Sequence, residues 1–122
     1  MAASVHQLGM LAEQRGDHTE AERLYRQAVA TNERLGNPTD AATGWSQLGN
    51  LATITGDPAA AASRHARAAA MRRSLGLPQA RYDLTRLATL RAELGEAAFR
   101  EAAGSEVDEA TPQELIDTML PP

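Results

Sequence analysis

The chain has no cysteine and no lysine among its 122 residues. The first absence excludes disulfides, zinc–thiolate sites and cysteine nucleophiles. The second puts all the basic charge other than histidine on arginine, which reads as a compositional bias, because no single function would remove lysine from every surface position. Arginine does favour bidentate contacts to carboxylates, so acidic partners stay open. Aromatic residues amount to only 3%, and valine and isoleucine are sparse, which argues against a sheet. No apolar run approaches the roughly 20 residues of a membrane span. No basic segment followed by an apolar one opens the chain, so no signal peptide is read and a cytoplasmic location is the expectation. A net charge of −4 and a pI near 5.3 oppose the cationic surface that nucleic acid requires.

What the chain does have is alanine, as in 59–62 and 68–70, and a repeat. Alanine is the best helix former, so closely packed helices are expected. Sliding the sequence by 40 residues aligns Leu8-Gly9, Leu11-Ala12, Gly16-Asp17, Ala21, Ala28, Ala30, Leu35-Gly36 and Pro38 with Leu48-Gly49, Leu51-Ala52, Gly56-Asp57, Ala61, Ala68, Ala70, Leu75-Gly76 and Pro78. Alanine bias does not explain the Leu-Gly, Gly-Asp and Leu-Gly-x-Pro matches falling in one register. Gly16 and Gly56 close a first helix, Asp17 and Asp57 cap a second, and Glu20 completes a capping box with Asp17. Gly36 and Gly76 end the second helix, with prolines two residues later. The spacing predicts helices over 2–15, 18–35, 38–55, 58–75 and 78–94. Leu84, Leu87, Leu90 and Gly95-Glu96 begin a third unit, one residue shorter, followed by a short helix over 96–103. Thr111 and Glu114 cap a last helix with an apolar face of Leu115, Ile116, Met119 and Leu120.

These residues resemble the tetratricopeptide repeats, in the longer variant seen in kinesin light chains and bacterial sensors and regulators. The second unit reads Trp45-x2-Leu48-Gly49-x2-Ala52, then Ala61-x3-His65-x2-Ala68; the first reads Val5-x2-Leu8-Gly9-x2-Ala12, then Ala21-x3-Tyr25-x2-Ala28. The resemblance implies an all-α fold of antiparallel helix–turn–helix repeats stacked as a short right-handed solenoid, with a C-terminal capping helix. One domain over 1–122 is expected: repeat one at 2–37, repeat two at 38–77, a degenerate repeat three at 78–103, a linker at 104–110 and the last helix at 111–120. It further implies a concave face made by the first helix of each unit: His6, Gln7, Met10 and Glu13, then Thr43, Gln47, Asn50 and Thr53, then Tyr82, Arg86, Thr89 and Glu93. A peptide or protein segment is the implied partner. One subgroup clamps a C-terminal carboxylate with lysine, asparagine and arginine; here only Arg86 matches, and His6, Met10, Gln47 and Tyr82 stand at the other four places, which argues against that clamp.

Catalysis and metal binding find no support in the pattern. The three histidines do not converge and no HExxH occurs. His65 reads as a packed core histidine, His6 as a solvated helix residue and Trp45 as a core filler. Glu13 and Glu93 lie two units apart, too far for an acid–base pair. Gly9 and Gly49 sit inside helices as close-packing sites rather than phosphate loops. No cofactor, metal or membrane partner is expected, and the chain is read as a non-enzyme. Arg64, Arg67, Arg72 and Arg73 read as a solvated basic face, and the acidic stretch 96–117 is a candidate to lie against it in the same or a neighbouring chain. Two alternatives to a peptide-binding scaffold or sensor remain: a self-associating module, in which a homodimer buries open ends, and a helical-repeat RNA binder centred on the four arginines. The abrupt start of the first helix suggests a piece of a larger bacterial regulator.

Overall fold

A computed structural model describes residues 2–104, with side chains from Val5 onward. The expected linker beyond 104 and the helix at 111–120 lie outside the described residues. Six helices follow one another: α1 (Ala2–Gln14), α2 (His18–Arg34), α3 (Pro38–Ile54), α4 (Pro58–Ser74), α5 (Ala80–Leu94) and α6 (Glu96–Ala103). Each of the first five packs on the next, and α6 folds back onto α4 and α5. The described residues thus form an all-α stack of helix hairpins.

The turns are local and legible. α1 ends with Gly16 at φ +78°, where a side chain would be strained. The Gly16 N–H donates to the Glu13 carbonyl at 2.9 Å and the Asp17 N–H to the Ala12 carbonyl at 2.9 Å, which satisfies carbonyls that the helix end leaves orphaned. Gly56 (φ +80°) repeats the arrangement, with the Asp57 N–H on the Ala52 carbonyl at 2.9 Å. The Asp17 carboxylate then accepts from the Glu20 N–H at 3.2 Å, and Asp57 from the Ala60 N–H at 3.0 Å. The expected capping box at Asp17 is only half made: Glu20 accepts from Arg23, and the Asp17 N–H goes to Ala12. Asn37 makes no side-chain cap.

The ends of α1–α4 fall one residue before expectation, and one helix start departs from it. α5 begins at Ala80, not at Pro78. The Ala80, Arg81 and Tyr82 N–H groups donate three residues back, to Leu77, Pro78 and Gln79, a tight turn that takes up the one-residue deletion of the third unit.

Within each of the first two hairpins the helices approach through glycine. A Cβ on Gly9 would stand 2.8 Å from the Tyr25 ring, and one on Gly49 would stand 2.5 Å from the His65 ring. Small residue against ring is therefore the rule of both clear repeats, as the sequence suggested. Trp45 is buried as expected, in a cluster with Leu24, Tyr25, Val29, Leu48 and Leu51. A second cluster joins Ala62, Ala66 and Ala69 of α4 to Leu87, Leu90 and Phe99.

The α4–α5 junction is held differently, by a buried carboxylate. Asp83 of α5 is fully buried. One oxygen accepts from the Ser46 hydroxyl at 2.8 Å and sits 2.8 Å from His65 Nδ1; the other accepts from an Arg72 guanidinium nitrogen at 2.8 Å. His65 is thus a packed core histidine, as expected. At the far side, the exposed Glu96 carboxylate takes Arg91 of α5 at 2.6 Å and Arg100 of α6 at 2.6 Å. Hydrogen bonds from Arg91 and then Arg100 hold its pKa down to about 2.

Removing the buried carboxylate strands a charge. Asp83→Ala leaves Arg72 and His65 facing an empty site, and loss of one partner of a buried pair costs about 3–5 kcal/mol. Urea denaturation should show a loss of that size, and hydrogen exchange should show α5 and α6 losing protection ahead of α1–α3. A loss below about 1 kcal/mol, in the range of an exposed pair, would contradict the assignment.

Candidate functional site

α1, α3 and α5 present one face in succession, and the twelve residues expected there divide into those the fold joins and those it does not. Met10 and Glu13 of α1 and Gln47 and Asn50 of α3 border a single half-open cavity of about 240 Å³. Gln14 and Tyr25 complete its lining. Asn50 carries the row on to α5: its side-chain oxygen accepts from the Tyr82 hydroxyl at 3.0 Å. The Arg86 guanidinium lies 5.3 Å from the Tyr82 ring centroid and donates to its hydroxyl at 3.5 Å. His6 reaches the same neighbourhood through its ring, 5.8 Å from that of Tyr25.

The other expected residues stand apart. Thr53 and Thr89 turn their hydroxyls to their own helices, onto the Gly49 and Thr85 carbonyls. Thr43 bonds the Thr39 carbonyl and accepts from Arg72 at 3.4 Å, so it serves the α3–α4 contact. Gln7 and Glu93 are exposed.

Tyr25 is a part of the cavity that its repeat position hid. The register assigns it to the core, and its ring is indeed buried. Its hydroxyl, however, emerges into the cavity and donates to Glu13 at 2.8 Å. The one available signal was Gly9: a glycine opposite a long aromatic lets the ring slide past the helix axis to the far side. Burial, and then the bond to Glu13, push the phenol pKa well above its ordinary value.

The basic face expected on α4 is largely turned inward. Arg64 and Arg72 are only 7% and 8% exposed. Arg64 donates to the Leu48 carbonyl at 3.0 Å and to Glu22 at 3.1 Å. Arg67 lies 4.8 Å from the Trp45 ring centroid and pairs with Glu33 at 3.6 Å. Three of the four arginines named for RNA therefore already neutralise or cap groups of the stack, and solvation of that face as a whole is corrected. The physical reason is alanine: the small side chains around them leave room for guanidinium stems to lie between helices. Among the described residues no cluster of histidine and carboxylate side chains fit to hold a metal occurs.

A family model described as Tetratricopeptide repeat matches residues 1–74. No curated protein and no solved structure matches the chain.

The raised Tyr25 pKa sets an alkaline limit. Below about pH 10 the phenol keeps its proton whether the chain is folded or not. Above it, the unfolded chain ionises while the folded one resists, so stability falls as pH rises toward the folded value. Thermal melts of wild type and Tyr25→Phe across pH 8–11 should show a steeper alkaline loss in wild type. Parallel curves would place the titrating group elsewhere.

Proposed function

The chain belongs to the tetratricopeptide repeat family, and from that premise we propose that it is an interaction scaffold whose α1–α3–α5 groove holds a peptide or protein segment. Repeats of this family generally mediate protein–protein interaction and form a non-enzymatic kind of scaffold. The observation that supports the groove reading is a row of polar side chains that runs from α1 across α3 to α5: Glu13 bonded to Tyr25 of α2, Gln47 and Asn50 on the same cavity, and Tyr82 bonded to Asn50 and Arg86. Side chains of this kind, spaced along consecutive helices, suit an extended chain with its own regularly spaced polar groups. The three units 2–37, 38–77 and 78–103 then act as three steps of one surface. Among the described residues no helix is long and apolar enough to cross a membrane.

Replacing both Asn50 and Arg86 with alanine tests this. Peptides selected on the wild-type chain from a displayed random library should bind the double variant about ten-fold or more weakly, as loss of a charged hydrogen-bond donor and its neighbour implies. Its far-ultraviolet circular dichroism melt should stay within a few degrees, because both side chains act at the surface. Unchanged affinity rejects the groove.

A second reading, self-association, has its own observation. Leu8 and Leu11 are 50% and 48% exposed, whereas Leu48 and Leu51, their counterparts 40 residues on, are 0% and 1% exposed. α2 covers the later pair, and no described helix covers the earlier one. On this reading the outer face of α1 pairs with its like in a second copy. Light scattering should then give a dimer for wild type and a monomer for the Leu8→Glu, Leu11→Glu double variant; a wild-type monomer at millimolar concentration disposes of the reading.

A further inference from the structure

The cavity between α1 and α3 is lined by Met10, Glu13, Gln14, Tyr25, Gln47 and Asn50. No basic residue is among them. The lining's charged group is the Glu13 carboxylate, and Gln14, Gln47 and Asn50 add amides that donate as well as accept. Glu13 is a half-buried carboxylate whose hydrogen bond from Tyr25 occupies one oxygen. Glu20, Glu22, Glu33, Asp83 and Glu96 each have an arginine partner within the chain; Glu13 has none among the described residues. Beside it the Gln47 side-chain oxygen is buried without a hydrogen-bond partner. A half-buried carboxylate left without a cation, and a buried carbonyl left without a donor in a residue that lines the same cavity, are each costly unless something donates to them.

We propose that this cavity receives the cationic side chain of an arginine or lysine in a bound peptide, with Glu13 as its counter-ion and the Gln47 carbonyl as its second acceptor. The inference rests on the groove reading and gives it a chemistry. At about 240 Å³ the space lies below the range of whole small-molecule pockets and suits one side chain. Met10, exposed at the rim, offers an apolar and polarisable surface for the methylene stem, and the Tyr25 ring forms part of the wall. A planar guanidinium carries donors in several directions and so serves carboxylate and carbonyl at once. An anionic side chain or a terminal carboxylate would meet Glu13 with no compensating charge in the lining.

The probe is a blocked pentapeptide of alanines with a central arginine. Its two comparators carry citrulline, the neutral isostere, or glutamate at the centre. Binding is read as saturable shifts of the Gln47 and Asn50 side-chain amide signals in nitrogen–proton correlation spectra of the full chain. The arginine peptide should bind about ten-fold or more tightly than the citrulline peptide, the usual scale for a charged hydrogen bond. Glu13→Gln, which still accepts from Tyr25 and should melt as wild type does, should erase that preference. Equal affinity for arginine and citrulline overturns the proposal while leaving the groove intact, and so does a preference that survives Glu13→Gln. Tighter binding of the glutamate peptide overturns the cation while upholding the groove. Failure of all three peptides to shift these signals overturns the cation site, while the groove is judged separately by the Asn50 and Arg86 variant.

Discussion

The third helix pair packs on the other two through an apolar cluster, and one buried carboxylate sets its position there. Asp83 lies in α5, and its partners come from α3 (Ser46) and α4 (His65 and Arg72). Taking a carboxylate and a guanidinium out of water costs several kcal/mol each, so such a pair is a poor source of stability in itself. Its effect is on register. Any slip of α5 along α4 would leave charge buried without a partner, and that penalty falls on wrong arrangements rather than on the right one. With the one-residue deletion counted, Asp83 stands where Gly44 stands in the second unit. There the junction is closed by shape alone, since a Cβ on Gly44 would come within 2.4 Å of Val29. The same repeat position thus fixes one junction by close approach and the next by charge. The difference follows from α4, whose alanines at 66, 68, 69 and 70 leave no branched side chain for a glycine to nest against.

Holding α5 in register is also what makes the groove continuous. Tyr82 precedes Asp83 by one residue, so the bond that buries Asp83 turns Tyr82 toward α3 and onto Asn50. Arg86, one turn later, falls over the same ring. His65 takes part on both sides, with Nδ1 on Asp83 and its ring 6.2 Å from the Tyr82 ring. The order of the candidate site therefore depends on a buried network that meets it through His65 and the Tyr82 ring.

The sequence is legible where structure is local. Gly-Asp and Leu-Gly-x-Pro mark helix ends because the bonds at those ends run between residues only a few positions apart, so four of the first five helix starts fall where the spacing puts them and the ends of the first four fall within one residue. Pro78 misleads because the deletion falls after it: Pro38 stands ten residues before Leu48 but Pro78 only nine before Leu87, and the residues that follow Pro78 close a tight turn where Pro38 opens a helix. The face of each first helix is legible from the repeat register, and Met10, Glu13, Gln47 and Asn50 do share one cavity. The arginines of α4 are not legible, since their partners Glu22 and Asp83 are 42 and 11 positions away on other helices. A run of arginines on an alanine helix looks the same in sequence whether it faces water or carboxylates. Tyr25 is half legible: the register gives its ring, and only three dimensions give the reach of its hydroxyl to Glu13.

Where those arginines go bears on what the groove can recognise. Arg64 is drawn to Glu22, Arg67 to Glu33 and Arg72 to Asp83, so positive charge is taken into the contacts between helices and kept off the α1–α3 cavity. Among the described residues assigned to the groove, Arg86 carries a guanidinium, and it sits a full repeat step away, over Tyr82. The face that remains is divided along its length, with a carboxylate at the α1 end and a guanidinium at the α5 end. An extended ligand with a cation near one end and an anion near the other would then satisfy that division in one direction only, since reversing it sets the anion beside the half-buried Glu13 and the cation beside Arg86. On the proposed reading, direction and residue choice would both follow from one fact, that Arg64, Arg67 and Arg72 are drawn between the helices and away from the cavity.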